Sequence, residues 1–145
     1  MRSITFFKTA VKIQKTASEL QNNAKFNAAE QGSTTGPQHL MSKILEQLEQ
    51  FIKDDPHDPF NHYALALEYQ KTDIIKAQHV FEKLVAEYSH YVPTYYHLGQ
   101  LYADQGKTEE AISIFERGIV VARAAGDQKA VREMEGARLA VLYDN

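Results

Sequence analysis

Tyr95-Tyr96-His97-Leu98-Gly99-Gln100-Leu101-Tyr102, then the turn at Gln105-Gly106-Lys107, then Ala111-Ile112-Ser113-Ile114-Phe115, is the stretch that decides how this chain folds. Its skeleton is Leu98-Gly99-x-x-Tyr102, a glycine turn, and Ala111 followed four residues later by Phe115. The same skeleton stands upstream as Leu65-Ala66-x-x-Tyr69 with Ala77 and Phe81. Its first phrase returns downstream as Leu139-Ala140-x-x-Tyr143. A period near 34 with this content is the signature of stacked helix-turn-helix units. The small residues Ala66, Gly99 and Ala140 are expected where paired helices approach most closely, and Ala77 and Ala111 do the same from the second helix. Leucine, tyrosine and phenylalanine then fill the layers. Gly118 occupies a slot where alanine is expected. It costs about 1 kcal/mol of helix propensity and is read as allowing a still closer contact.

The elements follow from local signals. Ser42 is placed to cap a helix running to about Lys53, with Ile44, Leu45, Leu48, Phe51 and Ile52 as its core face. Pro59 suits the first turn of the next helix, which reaches about Lys71. Thr72-Asp73 turns into a helix over Ile74 to Glu87, burying Ala77, Val80, Phe81, Leu84 and Val85. Val92-Pro93 opens a helix to about Asp104, and Thr108 is positioned to cap its successor, with Glu109 and Glu110 near the positive end. That helix runs to about Ala125, Gly126-Asp127 ends it, and a last helix covers Lys129 to about Tyr143. Helices of this length joined by short turns pack antiparallel, so the chain reads as all-α.

These residues resemble the tetratricopeptide repeat, whose pattern runs W-x2-L-G-x2-Y, then A-x3-F, then a closing proline. Tyr95, Leu98, Gly99, Tyr102, Gly106, Ala111 and Phe115 match it, with tyrosine in the tryptophan slot. In the copy before, Leu65, Ala66, Tyr69, Ala77 and Phe81 match, and Pro56 closes a preceding half-unit. Ser89 stands where a proline normally closes a unit, and the third copy stops after one helix. The resemblance, to the small bacterial type, covers residues 41–145 and implies a right-handed superhelical array of antiparallel helix pairs, about two and a half repeats. It also implies a non-catalytic protein–protein interaction scaffold binding a peptide or helix in a concave groove lined by the first helix of each pair. Carried over by position, the groove residues are Phe60, Tyr63, Leu67, Gln70, Lys71, Tyr96, Gln100 and Asp104, with Ala103, Ala137 and Val141 beside them. Tyr63 and Tyr96 are as well placed to pack between layers as to meet a partner, whereas Tyr69, Tyr102 and Tyr143 read as packing residues. One family variant clamps a chaperone's terminal carboxylate with basic and amide side chains. The matching slots here hold Tyr63, Leu67, Tyr96, Gln100, Ala137 and Val141, which offer no charge-assisted bonds to a carboxylate.

Charge and composition narrow the partners. The net charge is −3, unevenly spread. Residues 1–40 carry Arg2, Lys8, Lys12, Lys15 and Lys25 against Glu19 and Glu30, and the remainder is acidic. An acidic body argues against nucleic acid, whose binding is driven by lysine and arginine, and leaves proteins or peptides. No apolar run is long enough to span a membrane. The absence of cysteine fits a reducing compartment, so a cytoplasmic location is expected. No phosphate-binding glycine loop or nucleophile elbow is present, and no cofactor or metal is expected. The six histidines, His39, His57, His62, His79, His90 and His97, include no metal-ligand spacing. A histidine-dependent metalloenzyme is the least favoured reading.

The domain plan is a basic, marginally helical extension at residues 1–30, a flexible linker at 31–40, and the repeat domain at 41–145. The extension carries one narrow stripe of Phe6, Ala10, Ile13, Ala17, Leu20 and Ala24. Residues 1–40 read as a targeting segment, a membrane-surface helix, or an upstream extension from a misplaced start, with Met41 beginning the repeat domain. The alternative to the scaffold is a self-associating module, a homodimer built on Leu45 and Leu48 at one end or Leu139 and Leu142 at the other.

Overall fold

The computed structural model describes residues 36–143. The expected helical stripe of residues 3–29 lies outside them. Six helices make up the described chain: α1 (Pro37–Asp54), α2 (Pro59–Gln70), α3 (Ile74–Glu87), α4 (Pro93–Asp104), α5 (Thr108–Ala125) and α6 (Gln128–Tyr143). Among the described residues there is no strand, and the architecture is all-α, as the repeat skeleton dictates. The chain divides into two compact units, one ending at Asn61 and one beginning at His62.

In the first unit α1 begins at Pro37, with Gly36 in the N-cap position. Proline is preorganised for the first helical turn and has no N–H to leave unbonded. The helix therefore starts ahead of Ser42, which lies within it and donates from Oγ to Glu46 Oε1 at 3.3 Å. The expected cap at Ser42 is corrected accordingly. At the other end, buried Asn61 donates from Nδ2 to the carbonyls of Phe51 and Asp55, each at 3.2 Å. The Asp55 N–H already bonds the Phe51 carbonyl at 2.9 Å, so Asn61 adds a second bond there and ties down the Asp55 carbonyl just past the helix end. Leu48 is buried and Leu45 half-buried, so Leu48 is not part of an exposed terminal face.

In the second unit each boundary has a local cause. Asp73 caps α3, its carboxylate accepting from the Lys76 backbone at 3.1 Å. Pro93 opens α4, and the buried Tyr95 donates its hydroxyl to the Ser89 carbonyl at 2.8 Å. Gly106 takes φ 73°, a conformation that glycine adopts without a Cβ clash, and Lys107 N bonds back to Tyr102 O at 2.9 Å. That closed turn puts Lys107 at the N-cap of α5, so Thr108 is the first helical residue and not the cap. Gly126 (φ 74°) ends α5, with Asp127 N reaching Ala122 O at 2.9 Å. Asp127 then caps α6, its Oδ1 accepting from Ala130 N at 3.0 Å.

The core of this unit holds Ala66, Ala77, Phe81, Leu98, Ala111 and Phe115, joined by Tyr95, Leu101, Ile114, Ile119, Val131 and Met134. α5 packs against both α4 and α6, and α4 also touches α3 and α6. The small residues explain the spacing. A Cβ on Gly99 would lie 2.5 Å from the Phe115 ring, and one on Gly118 2.5 Å from both Tyr95 Cβ and Met134 Sδ. Neither fits beside a neighbour that packs at about 3.5–4.0 Å. Tyr102 donates its hydroxyl to Glu82 Oε1 at 2.7 Å, and Gln78 Nε2 donates to the same oxygen at 2.6 Å. Burial and then that carboxylate push the Tyr102 phenol up to about 12.

The third copy of the phrase behaves differently. Leu139 is 44% exposed and Tyr143 83% exposed, so Tyr143 does not pack. The buried residues of α6 are Val131 and Met134 instead. The N-terminal half of α6 lies against α5, where Met134 meets the Gly118 notch. No described helix follows to cover Leu139, Leu142 and Tyr143.

Candidate functional site

Two hollows lie along the face that α4 and α6 share in the second unit. The first, about 230 Å³, is walled by Tyr63 of α2, by Val92, Pro93, Tyr96 and His97 at the start of α4, and by the first turns of α6. From α6 come Lys129, Ala130, Glu133 and Met134, with Asp127 just before them. The second, about 280 Å³, takes Gln100, Ala103 and Asp104 from the end of α4, Gly106 and Thr108 from the turn, and Ala137, Ala140 and Val141 from α6. The starts of α4 and α6 meet at one hollow and their later turns at the other. The two helices therefore run in the same sense, as first helices of successive units.

The aromatic wall of the first hollow is a packed cluster. His97 stacks on Phe81 with centroids 5.9 Å apart, and Tyr63 and Tyr96 meet it edge-on at 5.5 and 5.6 Å. Tyr63 also abuts Phe81 and Tyr91, and Tyr96 abuts Phe115. Edge-to-face contacts at these distances are favourable geometries. Burial raises the Tyr63 phenol pKa and lowers that of the His97 imidazole, which favours the uncharged ring. Both tyrosines are half-buried, so each packs and lines the hollow at once.

The rim carries charge. Asp127 is engaged at the α6 cap, while Lys129 and Glu133 approach only to 3.7 Å with side chains 81% and 52% exposed. Such an exposed pair contributes little. In the second hollow, Gln100 Nε2 donates to Asp104 Oδ1 at 2.9 Å.

Of the residues expected in a groove, Tyr63, Tyr96, Gln100 and Asp104 line these hollows, with Ala103, Ala137 and Val141. Leu67 is half-buried against the core. Gln70 is half-buried at the end of α2, and exposed Lys71 pairs with Glu68 at 2.6 Å. None of these three lines either hollow. Phe60 belongs to the first unit, where its backbone N–H bonds to Asp58 Oδ1 at 2.9 Å. Sequence reading missed His97, Asp127, Lys129 and Glu133. Asp127 and its neighbours were legible as the first turn of a helix parallel to α4, which places them opposite Tyr96. Among the described residues, no three potential metal ligands converge. Of the histidines, His62 stacks near Tyr88 at 6.1 Å, and His39, His57, His79 and His90 are exposed.

Residues 92–123 match the tetratricopeptide repeat family. A crystal structure of a tetratricopeptide repeat domain protein from Salinibacter ruber is 43% identical, with a TM-score of 0.59, covering 61% of this chain and 100% of that one. A solution structure of a Salinibacter ruber tetratricopeptide repeat domain protein is 46% identical, with a TM-score of 0.57, covering 60% of this chain and 89% of that one. The crystal structure of PcrH in complex with the chaperone-binding region of PopD shares the fold at 14% identity. Its TM-score is 0.63, and it covers 89% of this chain and 92% of that one. No curated protein matches the chain. The repeat skeleton, the helix-turn-helix order and the identity to the Salinibacter ruber domain agree, and the chain belongs to the tetratricopeptide repeat family.

Proposed function

We propose that this protein is a non-catalytic interaction scaffold that takes a peptide or helix from a protein partner along the α4/α6 face. One observation carries the reading: two hollows in series on that face, one walled by Tyr63 and Tyr96, the other by Gln100, Asp104, Ala137 and Val141. Half-buried tyrosines supply contact area at low entropic cost and a hydroxyl for a partner's backbone, and a face of this kind suits helix-in-groove or extended-peptide docking. A cytoplasmic location accords with the cysteine-free sequence. No described helix is long and apolar enough to cross a membrane.

The test is affinity capture from the native cell with wild-type bait, Tyr96→Ala and Ala137→Gln. Ala137→Gln fills the second hollow without touching the aromatic cluster. Ala137 is partly buried against the core, so the variant's melting curve is recorded alongside. The expected result is loss of the partner at a temperature where the variant is fully folded. A partner retained by both variants refutes the groove. The exposed Leu139, Leu142 and Tyr143 on α6 favour a second reading, self-association through that helix. A concentration-independent monomer mass by light scattering removes it.

A further inference from the structure

We infer that the first hollow receives a cationic side chain, arginine above lysine, from the partner segment. The inference rests on the groove reading and names the chemistry of its occupant. Charge complementarity comes first. Asp127 and Glu133 rim this hollow against the single lysine Lys129, and because the Asp127 carboxylate is engaged at the α6 cap, Glu133 is the group that meets a cation. The Lys129–Glu133 contact of 3.7 Å between exposed groups is weak enough for an incoming guanidinium to displace. The aromatic wall comes second. Tyr63 and Tyr96 line the hollow, and a guanidinium that reaches a tyrosine face gains a cation–π attraction that rises as water is excluded. Elsewhere the chain spends its own cations on tyrosine rings: Lys76 over Tyr69 at 5.6 Å, Lys107 over Tyr102 at 5.5 Å and Arg117 over Tyr95 at 5.9 Å. Tyr63 and Tyr96 instead have aromatic neighbours and an acidic rim. Burial lowers the His97 pKa and so disfavours a positive charge beside the two tyrosines.

The probes are three pentapeptides, acetyl-Gly-Leu-X-Leu-Gly-amide, with arginine, its neutral isostere citrulline, or glutamate at X. They are titrated into the full chain and followed by 1H–15N NMR. The arginine peptide is expected to bind about tenfold tighter than the glutamate peptide and several-fold tighter than the citrulline peptide. Shifts should centre on Tyr96, His97, Lys129 and Glu133, and the preference should shrink as salt rises. Lys129→Ala should tighten the arginine peptide, and Glu133→Gln should weaken it while leaving the citrulline peptide unchanged. Both substitutions are on an exposed helix surface, and unchanged melting verifies the fold. Equal binding of the three peptides, or equal loss of arginine and citrulline binding in Glu133→Gln, overturns the inference, as does no binding by any of them. In each of those cases, partner loss with Ala137→Gln still supports the groove, so the two readings fail separately.

Discussion

Adding one methyl group at Gly118 tests the packing argument at its tightest point. Gly118→Ala removes a helix-interior glycine, which by propensity alone stabilises α5 by about 1 kcal/mol. Packing opposes it. The new Cβ would fall 2.5 Å from Met134 Sδ and 2.5 Å from Tyr95 Cβ, against a preferred separation of about 3.5–4.0 Å. Met134 is a flexible thioether and can turn aside. The Tyr95 Cβ is tied to the α4 backbone, and its ring is held by the hydroxyl bond to Ser89 O, so α4 and α5 must move apart by about 1 Å. Overpacking of that kind costs about 1–3 kcal/mol. With a rigid neighbour the upper part of that range applies, and a net loss of about 1–2 kcal/mol remains after the propensity gain. Gly136→Ala in α6 is the internal control, because its Cβ meets nothing within 4 Å. It is expected to stabilise by up to about 1 kcal/mol. Urea unfolding followed by circular dichroism at 222 nm, with a common m-value, should separate the two variants by about 2–3 kcal/mol. In thermal melts the gap is about 10 °C or more. If Gly118→Ala is as stable as wild type, or moves with Gly136→Ala, the close-approach account of Gly118 is wrong.

The two sides of α6 give a second contrast. Met134→Ala should lose about 2–5 kcal/mol in urea unfolding, as a fully buried side chain does, while Leu139→Ser stays within about 0.5 kcal/mol of wild type. Comparable losses would place Leu139 in the core. A third prediction concerns acid. Burial holds the His97 pKa below its ordinary value, so below about pH 6.5 the unfolded chain binds a proton that the folded chain resists, and stability falls as pH falls. His97→Phe keeps a ring against Phe81 and should remove that part of the slope. Urea midpoints between pH 7 and pH 5 decide it, and an unchanged slope in the variant refutes it.

Much of the fold was legible because its signals are local. The Leu-Ala/Gly-x-x-Tyr and Ala-x3-Phe spacings place α2 to α5, and the glycines at 106 and 126 take the positive φ that ends helices. Gly118 was readable as a contact point because nothing else explains a glycine in that slot. Local reading misplaced the start of α1: Ser42 reads as its cap, whereas the helix begins at Pro37, whose fixed φ suits the first helical turn. It was off by one residue at Thr108, where the closure of the Gly106 turn sets the start of α5.

The sequence by itself determined the class of fold, the helix pairs, and the side chains suited to close contact, since periodicity and propensity act within a turn or two of the chain. The tertiary structure alone decided which of those side chains find a neighbour. Leu139-Ala140-x-x-Tyr143 has the same letters as the two earlier copies, yet Leu139 and Tyr143 are exposed, because among the described residues no helix packs over them. It also decided the site's electrostatics. Tyr96 and Glu133 are far apart in the chain and share a hollow only because α4 and α6 run side by side, and no local pattern carries the charge that one helix presents to another.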